Sequence, residues 1–210
     1  MAPNNLLFVE GKNDLHVFYA LLQHHQIPEA FSIIDKEGID NLLNALPVEL
    51  KRSDLDRLGI VVDANTHIEQ RWDALCHILS AAGNVDIPSH PDPNGTVVKV
   101  EQPERTLKVG IWLMPNNQRH GMLEDFIRFL VPAHDRLWAQ ANDCLQRITP
   151  QDRRFPPAHL TKAHLHTWLA WQEQPGTPIG LAITKRYLDP DARGAHQLMG
   201  WIRRLFDLDA

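Results

Sequence analysis

Short apolar runs alternate with amphipathic segments along the first 130 residues of this chain. The apolar runs predict five strands, at 5–9, 31–34, 58–62, 96–100 and 107–114. Apolar residues that recur every three or four positions predict four intervening helices, at 14–23, 38–46, 66–82 and 122–130. We expect Pro47 to halt the second helix and Thr66 to cap the third. The alternation predicts an α/β fold with a mainly parallel, Rossmann-like sheet and helices on both faces.

A loop and a hairpin interrupt this alternation. Residues 85–95 are rich in Pro, Asp, Asn and His, which predicts a loop, and the two last strands are expected to pair around 102–104. We therefore predict an α/β domain over 1–130 with an insertion at about 84–106. The remainder, 131–210, is predicted to be a helical region packed on this domain, with helices at 132–148, 160–172 and 192–206. We expect the last 60 residues to pack on the edge of the sheet.

Carboxylates follow two of the predicted strands at the point where each strand ends. Glu10 follows the first strand and Asp63 ends the third. In an open α/β sheet, the functional crevice lies outside the carboxyl ends of the strands. A lone buried carboxylate is costly, and paired carboxylates in such a crevice typically hold a hard cation. The sequence thus predicts a site for Mg²⁺ or Mn²⁺ at this edge.

Three further residues have both a structural and a metal-binding interpretation. Asp14 lies four residues after Glu10, where Gly11 is expected to allow a tight turn, and Asp14 either caps the first helix or joins the site. Asn65 either ligates through its amide oxygen or only forms a turn. Glu124 opens the helix after the last strand, where it either stabilises the helix dipole, as Asp125 would, or reaches the crevice.

The segments Val9-Glu10-Gly11-Lys12-Asn13-Asp14 and Val62-Asp63-Ala64-Asn65 resemble the TOPRIM domain of topoisomerases, bacterial primases, recombination proteins and overcoming-lysogenization-defect (OLD) nucleases. In that family a Glu-Gly motif with an acid four residues on, and a later Asp-x-Asp motif, hold Mg²⁺ for phosphoryl chemistry on nucleic acids. The resemblance implies that Glu10 is the general acid/base and a metal residue. Asp14 and Asp63 match the next two acids, whereas Asn65 departs from the second acid of Asp-x-Asp.

Two other likenesses extend this resemblance. Leu123-Glu124-Asp125 resembles a Leu-Glu segment of OLD-type nucleases in which the glutamate is a further metal ligand. The whole chain is similar to small stand-alone bacterial TOPRIM-related proteins of unknown function, a likeness that includes the segments Trp112-Leu-Met-Pro, Trp168-Leu-Ala-Trp and Gly180-Leu-Ala-Ile-Thr-Lys. OLD-type enzymes also use a lysine after the acidic motifs, and Lys185 or Lys162 is expected to neutralise charge in the transition state.

The function expected from these features is a Mg²⁺-dependent phosphodiesterase, a nuclease acting on DNA or RNA in phage defence or DNA repair. Its metal ligands would be drawn from five residues, Glu10, Asp14, Asp63, Asn65 and Glu124, around one or two cations. The alternative is a catalytically degenerate module that binds a nucleotide, a nucleic acid or a partner ATPase without turnover. Asn65 and the formal net charge of -5 favour that alternative.

Composition excludes several other classes of function. Cys76 and Cys144 are isolated, which argues against a disulfide framework or a cysteine zinc site and fits a reducing cytoplasm. We predict neither a signal peptide nor a membrane span. No P-loop motif is present. His24-His25 and His164-x-His166 lack the helical spacing of zinc ligands, so zinc is not predicted.

Overall fold

A five-stranded sheet forms the centre of the protein, whose computed structural model describes residues 4–209. The strands are β1 (Asn5–Val9), β2 (Ser32–Asp35), β3 (Arg57–Asp63), β4 (Thr96–Gln102) and β5 (Arg105–Met114). They lie in the order β2-β1-β3-β5-β4. All neighbours are parallel except β4, which pairs with β5 as an antiparallel hairpin at the edge. The predicted α/β fold with a mainly parallel sheet is confirmed.

Helices cover both faces of this sheet. They are α1 (Lys12–His24), α2 (Ile39–Glu49), α3 (Ile68–Ala82), α4 (Leu123–Arg128), α5 (Arg136–Gln146), α6 (Leu160–Leu169), α7 (Ile179–Thr184) and α8 (Arg193–Phe206). Buried side chains of α2 and α3 form one core with one face of the sheet, and those of α1 and α4 to α8 form a second core with the other face. Within residues 4–209, no helix has the length and apolar character that crossing a membrane requires.

The continuous apolar runs of the strands reflect burial on both faces. Along β1, Leu7 and Val9 contact the core that contains α1 and α8, whereas Phe8 contacts the opposite core. Successive side chains of a strand point to opposite faces, so a strand covered on both sides needs an apolar residue at every position. This burial is why the runs show no polar alternation.

The C-terminal helix lies across a face of the sheet, which corrects the expectation that this region packs on its edge. Gly59 of β3 pairs in register with Gly110 of β5. A Cβ atom at Gly110 would lie 2.6 Å from Leu205 and 3.0 Å from Trp201, both on α8. The two glycines therefore create the space in which α8 contacts the middle of the sheet.

Several predicted helix boundaries are wrong. α2 continues through Pro47 to Glu49, because Leu46 and Leu50 are both buried and hold its last turn in place. α3 begins at Ile68, two residues after the exposed Thr66. α5 begins at Arg136 rather than near 132, since Asp135 caps it by accepting a hydrogen bond from the N–H of Trp138 at 3.0 Å. The sequence does not predict the short helix α7.

Candidate metal centre at the carboxyl edge of the sheet

A cavity of about 430 Å³ opens where β1 and β3 end and where α1 and α4 begin. The five residues predicted as metal ligands all line it: Glu10, Asp14, Asp63, Asn65 and Glu124. The parallel order of β1 and β3 accounts for this, because it brings their carboxyl ends to the same edge. Glu10 and Asn65, which are 55 positions apart along the chain, therefore line the same cavity, together with the first residues of α4.

A chain of hydrogen bonds connects the three segments that meet here. Oε1 of Glu10 accepts a hydrogen bond from the backbone N–H of Asp63 at 2.7 Å. Oδ1 of Asp63 in turn accepts one from the N–H of Leu123, the first residue of α4, at 2.9 Å. Asp63 thus satisfies a backbone donor that the helix terminus leaves free. Each of these carboxylates still has a second oxygen for a ligand or a proton.

Asn65 supports the site through its backbone as well as through its position in the cavity wall. Its N–H and C=O form a pair of hydrogen bonds with Gly121, at 2.8 and 2.7 Å. Asn65 has a φ of 52°, in the left-handed region that Asn tolerates better than most residues, and Gly121 has a φ of 142°. This bridge ties the end of β3 to the turn before α4.

Asp14 does not cap the first helix. α1 begins at Lys12, and Asp14 lies in its first turn, 9% exposed. The residue before the helix, Gly11, is extended with a φ of -156°, a conformation open to any residue, so the bend at 10–11 does not require a glycine. Asp14 therefore stands against the cavity at the positive end of the α1 dipole.

The two acidic residues that open α4 have different roles. Oδ2 of Asp125 accepts a hydrogen bond from the N–H of Met122 at 2.9 Å, so this residue caps its own helix. Glu124 is 4% exposed and lines the cavity, where its Oε1 lies 2.9 Å from Nζ of Lys162. The structure places Glu124, the residue favoured from the sequence, at the site.

Of the two lysines expected to neutralise charge in the transition state, Lys162 lines the cavity and Lys185 does not. Lys162, on α6, lines the cavity together with Lys12, whose exposed side chain lies just after β1. Lys185 does not line it; this residue is the C-cap of α7. Of Lys162 and Lys185, only Lys162 lies beside the acidic cluster, a distinction that the sequence alone does not make.

Burial and mutual repulsion raise the pKa values of three carboxyl groups in the cavity. Burial, and then the nearby Asp14 and Glu10 charges, raises the pKa of Asp63 to about 9. Burial also raises the pKa of Asp14 to about 7, again helped by Glu10. The pKa of Glu10 is raised by burial, although the Asp63 N–H and the charge of Arg71 oppose the change. The cluster therefore resists full ionisation at neutral pH unless a cation compensates it.

Two histidines that the sequence does not predict as metal ligands form a second cluster with Asp191. One atom each from His24, His25 and Asp191 could bind a metal, and these three atoms lie within 4.8 Å of one another. Within residues 4–209, no other group of three or more histidine, cysteine or acidic side chains meets this criterion. The oxygens of the acidic cavity are spread more widely. No local pattern signals the histidine group, because Asp191 is 166 positions after His25.

A family model described as "Protein of unknown function (DUF3226)" matches residues 4–207. The chain belongs to the DUF3226 family. The match covers both cores and every residue of the acidic cavity, so the candidate site lies within the DUF3226 region. Neither the curated proteins nor the solved structures contain a match to this DUF3226 chain.

Proposed function

We propose that this protein is a TOPRIM-like phosphodiesterase that depends on Mg²⁺ or Mn²⁺ and cleaves DNA or RNA. One observation carries the proposal: four carboxylates, from the ends of two parallel strands and the starts of two helices, line one cavity. Such a cluster is costly to bury unless it performs a task that needs negative charge.

The donor chemistry fits a hard divalent cation. The acidic side chains of the cavity offer only carboxylate oxygens, and Asn65 adds an amide oxygen. Glu10, Asp14, Asp63 and Glu124 would hold the ion. Mg²⁺ keeps several of its waters and is commonly bound through one or two carboxylates, so it does not require all four to converge. When bound, the cation would polarise a phosphate and lower the pKa of an attacking water.

The remaining chemistry belongs to side chains of the protein. Lys162 and Lys12 place positive charge beside the acidic cluster, where they would bind phosphate oxygens and offset the repulsion of a polyanion by a protein with a net charge of -5. Glu10 is implied as the general acid/base by its resemblance to TOPRIM. Because Oε1 accepts the Asp63 N–H, Oε2 is the atom that would hold and release the proton.

The proposal includes a cytoplasmic role in phage defence or DNA repair, with a nucleic acid as the partner. Both cysteines are free thiols, which suits a reducing compartment.

A binding module without turnover is the second candidate, and Asn65 favours it. An amide at this position supplies one negative charge fewer than the Asp-x-Asp pattern. Asn65 also uses its backbone to hold the turn before α4, a role that needs no catalysis. Such a module would bind a nucleotide, a nucleic acid or a partner ATPase in the same cavity.

Cleavage assays with matched variants separate these functions. The wild-type protein is incubated with single- and double-stranded DNA and RNA, with Mg²⁺, with Mn²⁺ or with EDTA. Glu10→Gln and Asp63→Asn are nearly isosteric and remove one charge each, and Asp143→Asn removes an exposed charge on α5 as the control.

We expect cleavage by wild type and Asp143→Asn in the presence of metal, and a loss of at least 100-fold in Glu10→Gln and Asp63→Asn. Equal cleavage by all four proteins would assign the activity to a contaminant. An absence of metal-dependent cleavage, combined with retained nucleic-acid binding, would replace the nuclease by the binding module.

A further inference from the structure

A second cluster of metal-donor side chains lies at the opposite end of α1 from the acidic cavity. His24 is the last residue of this helix and His25 follows it, whereas Asp14 of the acidic cavity lies in the first turn. Ten residues of helix separate Asp14 from His24, which corresponds to about 15 Å along the axis. The two sites are therefore distinct.

The cluster joins segments that are far apart in the chain. Nε2 of His24 lies 2.7 Å from Oδ1 of Asp191, in the connection between α7 and α8. Nε2 of His25 lies 2.9 Å from the carbonyl oxygen of Pro190. His196, on α8, stacks edge-on against His25 with ring centroids 5.0 Å apart. The His24 and His25 side chains thus lie beside the carboxylate of Asp191, and His196 packs against the outer imidazole of His25.

We propose that His24, His25 and Asp191 form a binding site for a divalent ion of the zinc class, which fixes the end of α1 to the segment before α8. Two imidazoles and a carboxylate are a donor set typical of zinc. A fourth position would be filled by water or by His196. This inference is independent of the function proposed for the acidic cavity.

The geometry requires only small movements to accept the ion. Donor atoms of the three residues already lie within 4.8 Å of one another. In a tetrahedral site with zinc–nitrogen distances of about 2.0–2.1 Å, neighbouring donors are roughly 3.3 Å apart. The distance between Nε2 of His24 and Oδ1 of Asp191 would lengthen slightly from 2.7 Å, and the distances from these atoms to the His25 donor would shorten. The C-terminal end of α1 adds a partial negative charge that favours a cation.

An ordinary ion pair is the competing explanation. Asp191 also has Nη1 of Arg186 at 3.5 Å from its Oδ2, so a surface network of Asp191, His24 and Arg186 would exist without metal. That network predicts no zinc affinity. With no zinc bound, neither the removal of Arg186 nor the removal of His25 would change metal binding. The metal site predicts that removing His25 weakens zinc binding and that removing Arg186 does not.

Zinc titration of the full-length protein tests the proposal. The protein is stripped with EDTA, exchanged into buffer with a large excess of Mg²⁺ to occupy the acidic cavity, and titrated with Zn²⁺ by calorimetry. His25→Gln removes an imidazole donor, and Asp191→Asn replaces a charged carboxylate donor with a neutral, weaker amide oxygen. His77→Gln removes an exposed histidine elsewhere, and Arg186→Gln removes a neighbour of Asp191 that cannot ligate. Titration with Co²⁺ adds a visible spectrum that reports the coordination geometry.

We expect one Zn²⁺ per wild-type chain, with affinity at least tenfold weaker in His25→Gln and in Asp191→Asn and within twofold of wild type in both controls. The four-coordinate Co²⁺ spectrum should disappear in the same two variants. Circular dichroism confirms that each variant is folded. Absence of Zn²⁺ binding by the wild type, or binding that survives both donor substitutions, overturns the proposal.

Discussion

Nζ of Lys162 lies 2.9 Å from Oε1 of Glu124, and this pair joins α6 to the first turn of α4. Glu124 is almost fully buried, whereas the Lys162 side chain is 44% exposed. The acidic cavity is therefore completed by a residue from the predicted C-terminal extension. A lysine beside four carboxylates is available to compensate the cluster in the free protein and a phosphate in a complex.

Lys162→Gln should lower any metal-dependent cleavage by roughly 10- to 100-fold, because it removes a charge that stabilises the transition state. It should also destabilise the metal-free protein by about 1 kcal/mol, since Glu124 loses its partner although the lysine is half-exposed. Lys185→Gln is the matched control, since Lys185 lies outside the cavity. Steady-state rates and urea denaturation of both variants measure the two effects. An equal loss of cleavage rate in the two variants would show that Lys162 has no specific role in the site.

The metal-free protein should lose stability as the pH rises. The pKa values of Asp14 and Asp63 are raised from 3.8 to about 7 and about 9 in the folded state. Between pH 3.8 and the raised pKa of each residue, the folded state therefore binds more protons than the unfolded chain does. Their contribution to stability is complete below about pH 4 and is lost as the pH rises through the folded pKa values.

Urea denaturation in EDTA from pH 5 to pH 9 measures this slope. Asp63→Asn should flatten the slope and be more stable than wild type at pH 8, because the amide keeps the acceptor for the Leu123 N–H without the charge. Asp143→Asn should keep the wild-type slope. A wild-type protein whose stability rises over this range would contradict the raised pKa values.

Divalent cations should raise the melting temperature. An ion that binds only the folded cavity stabilises by RT ln(1 + [L]/Kd), or about 1.4 kcal/mol at ten times Kd, which is roughly 3–6 °C for a chain of this size. Glu10→Gln should lose most of the shift. Thermal melts with and without Mn²⁺ provide the measurement, and a full shift in Glu10→Gln would place the ion elsewhere.

Asn65→Asp should tighten Mn²⁺ binding, by roughly 3- to 10-fold, because a carboxylate binds a hard cation better than an amide oxygen does. It should destabilise the metal-free protein, since a further charge joins the cluster. Thr66→Asp is the control, because this substitution adds the same charge at the adjacent position. Thr66 is exposed and lies outside the acidic cavity. Calorimetric titration of both variants decides whether the side chain of Asn65 faces the ion.

Local patterns were sufficient to predict the sheet and its acidic edge. Strand β1 was predicted with its observed bounds, and β3 within one residue at each end, because strands buried on both faces must be apolar throughout. Glu10 and Asp63 stood out because each carboxylate ends such a run. β1 and β3 are parallel and adjacent in the sheet, which brings these two residues together, and the N–H of Asp63 donates a hydrogen bond to Oε1 of Glu10.

Tertiary packing decided what the sequence alone left open. Nothing local distinguishes Lys162 from Lys185, and only the packing of α6 against α4 brings the first to Glu124. The position of α8 over Gly59 and Gly110, and the approach of Asp191 to His24, likewise depend on contacts between distant segments. Periodicity records which face of an element is buried, whereas the identity of its neighbour is set by the shape and volume of surfaces that meet only in the folded chain.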